Sequence, residues 1–385
     1  MYSLEGYGVM VADRVRVDAY TQALRKTVRQ GAIVVEIGTG PGIFAVLACQ
    51  LGANRVYAIE PSEIIQVARE IAAANGCDDK IVFFEEVSSR VTLPERADVI
   101  LSDLRGVLPL FGRHIPEIVD ARRRFLAPGG ALIPRKDTLW AAIVEVPKLY
   151  NDLVNPWEYN AFGQDLSAAR RLAANNIKRV HKNQGQLLTA PGLWVTLDYY
   201  SVEKHNAQGD LHWKVERAGT GHGIQVWFDA DLAEGCSFSC APSESETIYG
   251  SLFLPWTRPV SLAPSQTVTV SLDARLIEDE YVYRWTSHIE PLAGSGDAPV
   301  HFEQAQLMGE VLSVAKLQRQ AADYVPHLSE EGRVQRRTFE LMDGRASIEG
   351  IAHRLAAEFP QRFSTWKQAL SYAGVVSRKY SEETE

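Results

Sequence analysis

A chain of 385 residues, 46% hydrophobic and 23% charged, can bury a large core and has room for two or three domains. Its formal net charge of −8 is a poor start for binding nucleic acid, where phosphate neutralisation dominates affinity. No apolar run approaches the ~20 residues that span a bilayer. The beginning, MYSLEGYG, lacks a basic-then-apolar leader, and four cysteines are too few for a disulfide framework, so the expectation is a cytoplasmic protein with no membrane or nucleic-acid partner.

In chain order, strands are predicted at Ala32–Ile37, Arg55–Ile59, Lys80–Phe84 and Asp98–Ser102, with helices at Ile43–Leu51 and Ile64–Asn75. Apolar strands separated by helices predict right-handed βαβ units on a mostly parallel sheet, an α/β, Rossmann-like domain over residues 1–145. Arg122, Arg123 and Arg124 read as a solvated helix end. After Pro147 comes a polar, helix-leaning segment, Asn151–Val180. Strand-like runs follow at Trp194–Tyr200, Gly223–Ala230, Thr247–Phe253, Thr267–Leu272 and Glu280–Trp285, with turn-rich gaps that predict an antiparallel sheet or barrel over 146–292. Cys236, Phe238 and Cys240 share one face of a strand. Without a second Cys/His pair at ligand spacing they read as packing, and no metal is expected. Ala293 to Pro299 is a linker by composition. Residues 300–385 read as helical: Ser347 caps a helix with Ile348, Ile351, Leu355 and Phe359 on one face, and Ser364 caps the next, with Trp366, Leu370, Ala373 and Val376.

The strongest chemical signal is Val35-Glu36-Ile37-Gly38-Thr39-Gly40-Pro41-Gly42, a strand running through three alternate glycines into a helix. Glycines let the backbone turn sharply and let a ligand approach where a Cβ would stand, and the helix beyond offers free N–H groups. Glu60, at the end of the second strand, is placed to take both hydroxyls of a ribose. A dinucleotide is the rival, but its G-x-G-x-x-G pattern fails at Ile43. Glu36 would also repel a pyrophosphate, whereas it favours the ammonium of an amino-acid cofactor.

At these residues the sequence resembles the protein arginine methyltransferases, class I S-adenosylmethionine-dependent enzymes. The resemblance is carried by Asp13-x-x-Arg16-x-x-x-Tyr20 after Met10, by Leu51 through Glu60, by Asn75-Gly76 and Asp79-Lys80-Ile81, and by Val87-Ser88 before Leu93-Pro94. It continues through Trp157-Glu158-Tyr159-Asn160-Ala161-Phe162-Gly163-Gln164-Asp165-Leu166-Ser167 and Trp227-Phe228-Asp229, and so covers roughly residues 2–290. It implies S-adenosyl-L-methionine as cofactor, held by Arg16 (at the methionine carboxylate), Glu36, Gly38, Gly40, Gly42 and Glu60, with Val87 and Ser88 at the adenine. It also implies a β-barrel after the Rossmann-like domain, a dimerisation arm at about 150–182, and a head-to-tail homodimer around an open cavity.

The arginine-specific parts depart from that pattern. Of the two glutamates with which the family clamps a guanidinium, the first is matched by Asp103 and the second by Gly112. The family's Thr-His-Trp loop becomes Thr247-Ile248-Tyr249. A guanidinium fork is best met by paired carboxylates, and Arg105 in the same loop adds a like charge. The sulfonium is already a strong electrophile, so alignment and exclusion of water are the main demands on the protein. Asp103 is the candidate to orient or deprotonate the acceptor, or is a turn-forming Asp. Tyr7, Tyr20 and Tyr249 are candidate pocket residues or packed aromatics, and His222 reads as a turn residue. The stretch Phe339 to Ala352 resembles small winged-helix modules that bind leader peptides (PqqD-like); the alternative is a helical cap. The expected activity is N-, O- or C-methylation of a small molecule or peptide. The rivals are methylation of free or protein arginine and a non-catalytic, peptide-binding dimer.

Overall fold

The computed structural model describes residues 3–158, 162–181, 185–292, 294 and 296–382, and the chain divides into two units, Met1–Glu310 and Val311–Glu385. The first opens with helices α1 (Leu4–Ala12) and α2 (Arg14–Thr27), whose first turns are capped by Ser3 and Asp13 side chains accepting from the N–H groups of Gly6 and Arg16. Next come β1 (Ile33–Ile37), α3 (Ile43–Gln50), β2 (Arg55–Ile59), α4 (Ile65–Ala74), β3 (Ile81–Phe84), β4 (Ala97–Ser102), α5 (His114–Arg124) and β5 (Leu126–Ile133). The five strands form a parallel sheet in the order β3-β2-β1-β4-β5. Val34, Val35, Val56 and Ala58 are buried whichever face they occupy, the mark of a sheet covered on both sides. The strand order reverses at β1/β4, which opens a crevice at the carboxyl ends of those strands.

The second half contributes β6 (Lys136–Glu145), α6 (Pro147–Val154), α7 (Ser167–Ala173), β7 (Lys178–Val180), β8 (Gln186–Leu187), β9 (Gly192–Asp198), β10 (Ala207–Lys214), β11 (Gly219–Ala233), β12 (Cys236–Ser239), β13 (Ser251–Leu262), β14 (Thr267–Ile277), β15 (Glu280–Ile289) and β16 (Val300–Ala305). They form two antiparallel sheets, β7-β13-β11-β6-β8 (with β12 on β11 and β9 on β6) and β10-β14-β15-β16. Among the described residues no strand ladder joins the two, so the expected barrel is not closed by pairing. Tryptophans tie the sheets together instead: Trp256 Nε1 donates to Ser287 Oγ at 2.9 Å, and Trp285 Nε1 donates to the Pro255 carbonyl at 3.0 Å.

Several expectations need correction here. Lys136–Glu145 pairs with β11 and β9, so it belongs to the second half and not to a domain ending at 145. Val300–Ala305 pairs with β15, so the helical unit does not begin at 300. Thr247–Tyr249 is a turn and not the start of a strand, because Gly250 takes φ +66° before β13 begins. Arg122 donates to the Tyr199 carbonyl at 2.7 Å and is not a solvated helix end, although Arg123 is exposed. All four cysteines are buried free thiols, and no metal-binding cluster occurs among the described residues. In the expected arm, Trp157 and Phe162 are exposed, whereas Tyr159, Asn160 and Ala161 lie outside the described residues, as do Ala293 and Ser295 of the linker. No helix among the described residues is long and apolar enough to cross a membrane.

The second unit carries α8 (Val314–Gln318), α9 (Glu330–Leu341), α10 (Ile348–Glu358) and α11 (Trp366–Tyr380). Its core gathers Val334, Leu341, Ile351, Leu355, Phe363, Ala369 and Ala373. Ser347 caps α10, but the cap of α11 is Thr365, and Ser364 donates its hydroxyl to Gln368 instead. The described residues of this unit contain no strand, so the wing of a winged helix is not present among them.

Candidate active site

The crevice is shaped first by glycine. Gly38, Gly40 and Gly42 have φ of +72°, +53° and +79°. A Cβ on Gly38 would stand 2.5 Å from Leu104 Cδ2, and one on Gly40 would stand 2.7 Å from Tyr7 Cε1. At Gly42 the obstacle is Ala68 Cβ at 2.9 Å, so this glycine serves the close packing of α3 on α4.

Beside the turn stand two acids. Glu60 accepts the Gly40 N–H at 3.0 Å through one oxygen; through the other it accepts the Ser62 N–H at 3.1 Å and hydroxyl at 2.6 Å. Glu36 accepts the Thr39 hydroxyl at 2.6 Å, and burial pushes its carboxyl up to about 8, against the pull of that hydrogen bond and of Arg16. A cation entering the cavity would pull it back down.

Glu36, Gly38, Gly40 and Glu60 line a cavity of about 590 Å³ together with Tyr7, Arg16, Asp103, Arg105 and Tyr249. Four expected site residues do not line it. Besides Gly42, Ser88 is turned away, its hydroxyl donating to Glu117, and Val87 sits at the surface. Tyr20 is fully buried, stacked on Phe44 at 5.2 Å, with its hydroxyl accepting from Arg105 Nη1 at 3.0 Å. It is a core aromatic and not a pocket wall. A larger depression, about 810 Å³, is lined by Lys26, Arg29, Asp98 and Gly129 at the amino ends of β1 and β4. That is the wrong end of the sheet for a cofactor.

Opposite the glycine turn, Asp103 follows β4 and is held by three donors. Its Oδ2 accepts from Arg16 Nε at 2.7 Å and Tyr249 OH at 2.6 Å, and its Oδ1 accepts from Arg105 Nη1 at 3.1 Å. Burial would raise this carboxyl, but Arg16 and Arg105 outweigh it and hold it below the usual carboxylate range. Asp103 is therefore a poor base, and it is no mere turn former, since its oxygens serve side chains from distant segments. Gly112 adds no carboxylate.

The polar chain continues inward through residues that sequence reasoning missed. Arg105 Nε donates to Asp137 Oδ2 at 2.9 Å, and both side chains are 0% exposed. Tyr199 OH also donates to Asp137, at 2.6 Å, and lies 2.9 Å from His114 Nε2. With the Tyr199 proton committed to Asp137, the His114 contact requires Nε2–H as donor. Burial, with Arg105 adding to it, pushes His114 down to about 3, so the ring is neutral; at Asp137 burial outweighs Arg105 and raises the carboxyl. His222 is not a turn residue either: it lies buried in β11, its Nδ1 accepting the Val146 N–H at 3.3 Å.

Comparison with known proteins gives two adjoining matches. Residues 19–135 match the family model described as ribosomal protein L11 methyltransferase, and residues 135–277 match the arginine methyltransferase oligomerization subdomain. The chain is similar to "Probable protein arginine N-methyltransferase 6" of Arabidopsis thaliana, 31% identical over 247 residues, which are 62% of this chain and 56% of that protein. It thus spans just over half the length of that relative. It is also similar to "Protein arginine N-methyltransferase 1" of Dictyostelium discoideum, 26% identical over 272 residues, 69% of this chain and 80% of that one. Among solved structures, the Trypanosoma brucei PRMT1 enzyme-prozyme heterotetrameric complex with AdoHcy shares the fold, with TM-score 0.70 and 19% identity over 78% of this chain and 97% of that one. The glycine-shaped crevice, the junction of the two family models at residue 135 and the shared fold converge on one likeness: in both halves the chain is similar to S-adenosylmethionine-dependent methyltransferases of the arginine-methyltransferase type.

Proposed function

We propose that this chain transfers the methyl group of S-adenosyl-L-methionine to a nucleophilic nitrogen, oxygen or carbon on a small molecule or peptide, in a site of the arginine-methyltransferase type whose acceptor half has changed. The bound cofactor supplies a methyl group already activated on a sulfonium. The residues fit it: Arg16, Glu36, Gly38, Gly40 and Glu60 line one cavity, so a cation, an anion and a sugar edge each have a partner there. Glu60 is the candidate for the ribose hydroxyls, Glu36 for the cationic end and Arg16 for the carboxylate, while Val87 and Ser88, which lie off the cavity, lose support as adenine contacts. Tyr7 and Tyr249 wall the acceptor side and exclude water. Asp103 positions Arg16 and Tyr249 and does not itself take a proton.

One observation carries the changed acceptor: the carboxylate standing where the family's clamp begins is already engaged by Arg16, Arg105 and Tyr249, and Gly112 stands where the clamp would be completed. A second reading, methylation of arginine, is favoured by the two relatives named above, both called arginine N-methyltransferases. On relatives alone this second reading is the stronger; the pocket supports the first. Incubation with labelled cofactor and arginine-rich peptides separates them, since robust ω-methylarginine rules out the first. Calorimetry with S-adenosylhomocysteine tests both against a non-catalytic dimer, for which no heat at millimolar ligand is expected. A cytoplasmic homodimer, joined head to tail through the arm, is part of the proposal; the match to the oligomerization subdomain supports the association of chains.

A further inference from the structure

Arg105 occupies an unusual place. Its Cζ lies 5.9 Å from the ring centroid of Tyr20, 5.4 Å from Phe228, 5.8 Å from Phe238 and 5.7 Å from Tyr249. Asp103 takes its Nη1 and Asp137 takes its Nε, at 3.1 and 2.9 Å. Electron-rich ring faces together with paired carboxylates are what recognises a guanidinium from outside. Here the guanidinium so recognised belongs to the chain itself, is 0% exposed, and adjoins the cavity that Asp103 and Tyr249 also line.

We infer that Arg105 is a specificity-determining residue, a built-in occupant of a guanidinium recess beside the acceptor cavity, which shuts out guanidinium acceptors and leaves the site to neutral or anionic ones. The inference rests on the changed-acceptor reading and says how the change is made. Two effects act together. The recess is filled, so a substrate guanidinium finds neither the rings nor the second carboxylate. The charge that fills it also repels an incoming cation, in surroundings where water screens little. A neutral acceptor meets no such repulsion, and an anionic one is drawn in.

The test is to empty the recess and offer the missing group. The probe is N-ethylguanidinium, titrated calorimetrically into the whole chain with S-adenosylhomocysteine present. Wild type is expected to take up none at millimolar concentration. Arg105→Ala should bind it about ten-fold more tightly than wild type or better, the return for a charge-assisted pair. Because Arg105→Ala leaves Asp137 buried without a cation, the double variant Arg105→Ala/Asp137→Asn provides a second route: the neutral amide introduced there can still accept from Tyr199, and Asp103 and the four rings remain. Binding by wild type, or no gain in whichever variant melts cooperatively, overturns the inference. Formation of ω-methylarginine by wild type on an arginine-rich peptide overturns the changed-acceptor reading instead. Absence of that product with no gain in the variants overturns the role of Arg105 alone.

Discussion

The two walls of the cavity are built by different means. On the cofactor wall the decisive atoms are backbone: two left-handed glycines, Gly38 and Gly40, N–H groups of the turn, and a glutamate fixed by Gly40 and Ser62. On the acceptor wall they are side chains drawn from far apart, with Asp103, Arg16, Tyr249, Arg105 and Asp137 joined in one chain of hydrogen bonds that leaves Arg105 Nη2 and Asp137 Oδ1 without a partner. A backbone cradle is specified by a short stretch whose own glycines carry no side chains. A side-chain network is specified by the whole fold, so a few substitutions can redirect the acceptor while the methyl donor is kept.

The sharpest way to break this contrast is Asp137→Ala. It leaves Arg105 charged, buried and short of a partner, and is expected to cost about 3–5 kcal/mol of stability, read as a lowered denaturant midpoint. A loss under 1 kcal/mol would mean that the acceptor wall does not depend on its network. Next in size, Gly38→Val forces a side chain onto Leu104 at a φ of +72° and should weaken S-adenosylhomocysteine binding about a hundredfold, roughly 3 kcal/mol. Unchanged affinity by calorimetry would remove the turn from the cofactor site. Glu60→Gln should cost about ten-fold in the same titration, and because its NH2 cannot accept the N–H group that one Glu60 oxygen now takes, it should also cost about 1–3 kcal/mol of stability.

The last test concerns pH. The Glu36 carboxyl sits at about 8 in the fold, above its value in the unfolded chain, so the native state binds the extra proton between the two. Stability of the cofactor-free protein should therefore decline as pH rises from the ordinary carboxylate range towards 8, and Glu36→Gln should flatten that decline. Equal slopes for the two proteins between pH 5 and 8 would contradict the burial assigned to Glu36.

Legibility in the sequence followed the same divide. The parallel sheet and its turn could be read because Ala32–Ile37, Gly38–Gly42 and Arg55–Glu60 are each contiguous stretches. The acceptor wall could not. Arg16 lies 87 residues from Asp103, Tyr249 lies 146 from it, and Asp137 lies 32 from Arg105. No period or spacing announces such pairs. Tyr20 looked the same as Tyr7 in sequence, and only burial against Phe44 separates them. Asp137 was hidden at the start of β6, which reads as a continuation of the first domain although it pairs into the second. In the helical unit the pattern of Ile348, Ile351 and Leu355 was plain, whereas Ser364 and Thr365 are adjacent cap formers that composition cannot rank.

The burial of all four cysteines has a practical use for these tests. Cys49, Cys77, Cys236 and Cys240 are shielded from thiol reagents in the native state, so a cysteine installed at an exposed position such as Phe162 or Val375 would react first. One fluorophore per chain then becomes feasible on a wild-type background, and self-quenching or energy transfer between labelled chains would reveal whether two copies associate.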